Sequence, residues 1–266
     1  MLNDDELRIR NVVRFDADLR TLSERPNLLD VVEEFASERV VCSGLNFESF
    51  LHSRLSNARS GYSPQKRSAR SVQPISASGQ SLSQQLAQIH WNELGARNSL
   101  DDGSQVARSE VLREFFSADL VRHFAPPLSL IFASHRDAYK SSASSINALA
   151  ALFGCSIDAV IPIARRMTDD VARAQRELRD RVCPKTGTVL ESLVNCLEVF
   201  PLVNCDQLLI STGANKSNVY RAIYLLEEVG AIVEVSGRKK HQMWIAPEVV
   251  KIVNESFKRA SRVAIS

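Results

Sequence analysis

The chain reads as a mostly α fold that closes with a small module of helices and one β-hairpin. Three observations predict this. Apolar residues recur at helical spacing over most of residues 27–229. The run Val182-Cys183-Pro184-Lys185-Thr186-Gly187 joins Pro and Gly punctuation to a shift in composition, with a helical pattern before it and a mixed one after. Beyond Gly230, two short strand-like stretches flank a basic tip.

Taken in order, residues 16–24 and 27–40 are predicted helices separated by Arg25-Pro26. In the second, Leu28, Val31, Val32, Phe35 and Ala36 fall on one face. Residues 46–55 form a further short helix, which completes an N-terminal segment, 1–55. Residues 56–80 change character: they are rich in serine, carry Lys66, Arg67 and Arg70, and hold few large apolar groups. That composition predicts a solvated tether. Helical pattern resumes over 81–94, breaks at 97–105 and restarts over 106–120 with Leu112, Phe115 and Phe116. After Pro126-Pro127, helices are predicted at 128–139, 146–153 and 157–182, completing a region 81–183. The charged second half of the last helix reads as a solvated face.

The module 184–266 opens with a helix over 188–200 and a short one over 206–211. Thr212-Gly213-Ala214-Asn215 is a turn, with Gly213 suited to φ > 0. A third helix, 215–229, places Val219, Ala222, Ile223 and Leu226 at i, i+3, i+4 and i+7. Gly230 ends it as a C′ glycine. Strands are predicted at 231–235 and 242–246. Helix, helix, turn, helix, hairpin is the order of a winged helix-turn-helix. Asn215, Lys216, Ser217, Asn218 and Arg221 on the third helix are short polar or basic groups suited to phosphates and base edges. The tip adds Arg238, Lys239, Lys240 and the titratable His241, suited to phosphate contact. DNA is the partner these residues suggest, with a protein partner or a second copy of the chain as alternatives.

Bulk properties restrict the rest. With a net charge of +2, any nucleic-acid contact must be local. The cysteines (Cys42, Cys155, Cys183, Cys196, Cys205) are scattered without C-x-x-C spacing, which predicts free thiols in a reducing cytoplasm. The acidic opening Met1-Leu2-Asn3-Asp4-Asp5-Glu6-Leu7 predicts no secretory leader, and no run of eighteen apolar residues predicts a membrane span. No G-x-x-x-x-G-K-[ST], H-E-x-x-H or G-x-S-x-G motif is present.

Residues 97–108 read Arg97, Asn98, Ser99, Leu100, Asp101, Asp102, Gly103, Ser104, Gln105, Val106, Ala107, Arg108. Position for position this resembles the Fic (Fido) signature H-P-F-x-D-G-N-G-R-x-G-R. Ile89-His90-Trp91 resembles the His-aromatic helix that precedes the signature. Ser134-His135-Arg136-Asp137-Ala138-Tyr139 is similar to the helix that follows it. Residues 168–175 and the tail Gly237-Arg238-Lys239-Lys240-His241-Gln242-Met243-Trp244 resemble a common family ending. Upstream, 34–54 is similar to the family's autoinhibitory helix, S-x-x-x-E-G. Ser37 matches the serine, Val41 stands at the inhibitory glutamate and Cys42 at the glycine. The resemblance covers most of the chain and implies a Fic-like helical core before the winged helix.

Such proteins usually transfer AMP from ATP, with Mg²⁺, to a hydroxyl of a target protein. Here the implied chemistry is impaired. The signature histidine is the general base, and Arg97 has no accessible neutral form; losing such a base costs about 10²–10⁴ in rate. Bare amides at a helix N-terminus grip phosphate. The signature's G-N-G segment reads Asp102-Gly103-Ser104 here, so Asp102 brings a carboxylate beside the intended phosphate position, Gly103 stands at the asparagine and Ser104 at the second glycine, and Gln105 replaces an arginine. Each lost electrostatic donor is worth on the order of 10²–10³. By resemblance Asp101 would hold Mg²⁺ and Arg108 a phosphate, although an aspartate at a helix start is more often a cap. His90 and His135 read as helix-packing residues. The expectation is a catalytically defective Fic-like protein, with no metal or cofactor, acting through its winged helix. The alternatives are an active nucleotidyltransferase using ATP and Mg²⁺, and a structural or dimerising scaffold.

Overall fold

Leu28, Val31, Val32, Phe35, Ala36 and Val40 line one stripe of the first described helix, α1 (Leu28–Val41), and all are buried. The structure is a computed structural model, and it describes residues 28–42, 44–59, 82–97, 127–199, 201–238 and 240–265. The predicted helices at 16–24 and 106–120 lie outside the described residues, as do positions 60–80 of the predicted tether. The described residues are mostly helical, with one small antiparallel sheet.

By packing, the chain forms two compact units. The first takes in the described residues of Met1–Leu45, Pro64–Arg165 and Ser256–Ser266. It contains α1, α3 (Leu82–Arg97), α4 (Ser129–Ser134), α5 (Arg136–Ser142) and the first part of α6 (Ile146–Val182). α1 packs against α4. An aromatic cluster fills this unit: Phe132 stacks on Tyr139 at 5.2 Å and meets Phe153 edge-on at 5.3 Å. Phe35 meets Phe257 at 5.1 Å, with the Arg39 guanidinium 4.8 Å above the same ring.

The second unit takes in the described residues of Asn46–Ser63 and Arg166–Glu255. It contains α2 (Phe47–Arg59), the rest of α6, α7 (Val189–Val199), β1 (Leu202–Asn204), α8 (Cys205–Thr212), α9 (Lys216–Glu228), β2 (Val233–Glu234), β3 (Met243–Ile245) and most of α10 (Pro247–Ala260). The sheet order is β1-β3-β2, with Val203 opposite Trp244 and Glu234 opposite Trp244 on the other side. α7, α8 and α9 pack on one another. Leu193, Val194, Leu197, Leu208, Val219, Ile223, Leu226 and Trp244 form their core.

Several predicted boundaries differ from the structure. Residues 146–182 form one helix of 37 residues, not two. Gly154 costs about 1 kcal/mol relative to alanine inside a helix, but Leu152, Phe153, Ser156 and Ile157 around it are all buried, and that packing carries the helix through. Conversely, the helix predicted over 128–139 breaks at His135 (φ −127°, ψ 50°) into α4 and α5. There His135 Nε2 lies 2.9 Å from the Ala260 carbonyl. α2 also extends to Arg59, past the predicted start of the tether at 56, in keeping with the good helix propensity of Ala58 and Arg59.

By length and composition alone, α6 contains a stretch apolar enough to cross a bilayer, with a mean hydropathy of 1.8 and 39% of it buried. Its buried residues, from Leu149 and Leu152 through Ile157, Val160, Ile163 and Met167, follow helical spacing. Ala151, Asp158, Pro162 and Arg165 on the other side are exposed. This is the pattern of a helix packed on one face, not one apolar all round.

Candidate nucleic-acid interface

α8 and α9 are set by their caps. The Asn204 side chain accepts from Gln207 N at 2.8 Å and starts α8, which Gly213 ends in the left-handed region (φ 62°). The Thr212 hydroxyl donates to Leu208 O at 2.6 Å and accepts from Ala214 N at 3.3 Å, closing the turn. Asn215 (φ −74°, ψ 156°) is the N-cap of α9, its side chain accepting from Asn218 N at 2.9 Å. Asn215 thus spends its side-chain oxygen on the helix, and its NH₂ is the group left to a ligand.

With Val219, Ala222, Ile223 and Leu226 buried, α9 turns Lys216, Ser217, Asn218, Tyr220, Arg221 and Tyr224 outward. Lys216 Nζ lies 5.8 Å from the Tyr220 ring, and Tyr220 meets Trp244 edge-on at 6.4 Å. Trp244 is buried in β3, and its Nε1 donates to Glu227 Oε1 at 2.9 Å. Glu227 is therefore tied to the sheet, while Glu228 at the far end of α9 is exposed. Partial burial, then a hydrogen bond with the Cys205 thiol and the nearby Asp206 carboxylate, push the Tyr220 phenol above its usual range, so it stays a neutral hydroxyl.

The hairpin between β2 and β3 is closed by Glu234. Its carboxylate accepts from Ser236 N at 2.9 Å, from the Ser236 hydroxyl and from Gly237 N at 3.1 Å. The Ser236 hydroxyl first, opposed by burial and joined by the backbone donors, holds this carboxyl below the usual glutamate range. Arg238, Lys240 and His241 follow, all exposed; Lys239 lies outside the described residues. His241 takes a left-handed backbone (φ 57°). Its Nδ1 lies 3.8 Å from Asp206 Oδ2 at the start of α8. The last ladder pair, Asn204 with Met243, brings the start of α8 beside the chain that enters β3. The structure therefore gathers the predicted α9 residues on one helix and the predicted tip residues on one hairpin of the same unit. The sequence reading missed Tyr220 and Tyr224, which repeat at i+4 and i+8 from Lys216, and Asp206, whose role depends on strand register.

The other predicted positions divide. Ser37 is buried; its hydroxyl lies 2.9 Å from Ser129 Oγ and donates to Glu33 Oε1 at 3.3 Å. The Glu33 carboxylate also accepts from Ser129 N at 3.0 Å, at the first turn of α4. Val41 closes the main chain of α1, and Cys42 is exposed. His90 is buried against Tyr139 and Phe153, its Nε2 2.9 Å from the Tyr139 hydroxyl. Arg97 is the last residue of α3 and its side chain is not described. Asp101, Asp102, Gly103, Ser104, Gln105 and Arg108 lie outside the described residues. Among the described residues, no group of three or more His, Cys, Asp or Glu is placed to hold a metal ion. No protein-family model matches the chain, and no curated protein does.

Proposed function

We propose that the second unit is a winged helix-turn-helix that binds double-stranded DNA, and that the chain as a whole is a catalytically defective Fic-like protein acting through it. The observation that carries the DNA reading is α9. It is capped by Asn215, buried on its inner face, and turns Lys216, Ser217, Asn218 and Arg221 outward. In the same sheet-bound module, the hairpin carries Arg238, Lys240 and His241. Helix N-termini and short polar side chains suit phosphate and base-edge contact, and cations on the hairpin suit counterion release. The defective-enzyme reading rests on the sequence of 97–108, where Arg97, Asp102 and Gln105 replace the base and the anion-gripping groups.

Fluorescence anisotropy on mixed-sequence duplexes tests the DNA reading. Binding tightens as salt falls, and Arg238→Ala with Lys240→Ala weakens it. The same double substitution flattens the log–log salt slope by about 0.9 for each phosphate no longer neutralised. No binding to any duplex at low salt overturns this reading. Labelled ATP with Mg²⁺ tests the other: the wild-type chain transfers no label to itself or to lysate proteins. Robust transfer by the wild-type chain overturns the defective-enzyme reading and leaves the DNA result standing.

A further inference from the structure

Two tyrosines stand on α9 among its polar residues, and their surroundings differ. Tyr220 is held in place. It meets Trp244 edge-on at 6.4 Å, and Lys216 Nζ lies 5.8 Å from its ring. Tyr224, one turn further along, is 65% exposed, against 38% for Tyr220. Val219, Ala222, Ile223 and Leu226 bury the opposite side of the helix.

The register of α9 decides what Tyr224 stands beside. Seven residues make nearly two full turns, so Ser217 and Tyr224 lie one above the other, with Arg221 between them. All three are exposed. A helix laid in the major groove turns such a stripe toward the base edges. An arginine there matches the two acceptors of guanine. The ring of Tyr224 is apolar, and the apolar group that the major groove offers is the methyl group of thymine. Three residues of helix cover about 4.5 Å, which lies between one and two base-pair steps of about 3.4 Å. We infer that Tyr224 is a specificity-determining residue that packs its ring on a thymine methyl group, one or two base pairs from the guanine that Arg221 reads. This inference rests on the DNA reading above.

In vitro selection with the full chain from a randomised duplex pool, followed by anisotropy on the selected site, tests it. The site is expected to hold a thymine whose replacement by deoxyuridine, which removes the methyl group alone, weakens binding about fourfold, the worth of one buried methyl-sized group. Tyr224→Ala is expected to abolish that difference without moving the thermal midpoint, because the side chain is exposed. Tyr224→Phe is expected to keep it. Selection with Arg221→Ala is expected to lose a guanine one or two base pairs from the same thymine. A thymine-to-uracil difference that survives Tyr224→Ala, or no sensitive thymine within two base pairs of that guanine, overturns the inference and leaves the DNA reading standing. An affinity loss in Tyr224→Phe that is equal for both bases puts the hydroxyl on a phosphate and overturns it as well. If no duplex is enriched or bound at low salt, the DNA reading itself fails, and this inference with it.

Discussion

At the scale of single residues, the strongest constraint in the first unit is a buried carboxylate. Glu33 accepts from both the amide and the hydroxyl of Ser129 and from the Ser37 hydroxyl. Replacing it with alanine strands these donors in the interior, which costs about 1–3 kcal/mol. Glu33→Ala is expected to lower the urea midpoint clearly, and Glu33→Gln, which keeps an acceptor oxygen, to lower it less. In the second unit, Glu234 behaves as a local pH gauge. Its folded-state pKa is depressed, so the order it lends the hairpin is present above its unfolded pKa and is lost as pH falls through the folded value. In an NMR pH titration, the Ser236 and Gly237 amides should keep their hydrogen-bonded shifts through the ordinary glutamate range and lose them only below it. Neither carboxylate was legible as special in the sequence. Glu33 acts on a residue 96 positions away, and local spacing carries no information at that range.

At the scale of elements, Asn215 serves as a cap before anything else. Asn215→Ala is expected to cost about 1 kcal/mol, visible as a lower thermal midpoint without DNA. Asn215→Asp keeps the cap and suits the positive end of α9, so it should restore stability yet weaken duplex binding through its added negative charge. Pro162 removes one i→i−4 hydrogen bond within α6. Pro162→Ala is expected to stabilise the fold by up to about 3 kcal/mol from intrinsic propensity, seen as a higher thermal midpoint. The sequence made the inner faces legible: the stripes at 28–36 and 219–226 are buried as their periodicity implies. It did not reveal β1, because three residues are too few for an alternating pattern. It also left α10 unassigned, although Pro247 at a first helical position is a recognised start. The single helix at 146–182 was missed because Gly154 weakens local propensity, and only burial on both sides of it overrides that.

At the scale of the whole molecule, α6 contributes packed residues to both compact units, those of 149–164 to the first and Val171 and Leu178 to the second. Melting it removes core from each, so the two should unfold together. The two tryptophans give a direct test, since Trp91 belongs to one unit and Trp244 to the other. Trp91→Phe and Trp244→Phe variants, each followed by its remaining indole, are expected to report transitions that coincide with far-UV dichroism in the same variant. Separated transitions would mean that the helix frays at the 165–166 boundary. Candidate function at this scale was legible only where chemistry is local. The basic tip and the polar start of α9 are readable from composition, whereas the contact of His241 with Asp206 requires the strand register.

The self-closure of the hairpin by Glu234 has a practical corollary. Its carboxylate reaches residues only two and three positions ahead, so the fold of the tip is written almost entirely in Glu234, Ser236 and Gly237. The exposed side chains of Arg238 and Lys240 lie beyond that closure. Their charge is expected to be exchangeable in a display library with little change to the hairpin, His241 being left in place because its backbone is left-handed. Preferences selected from such a library would report what the tip touches.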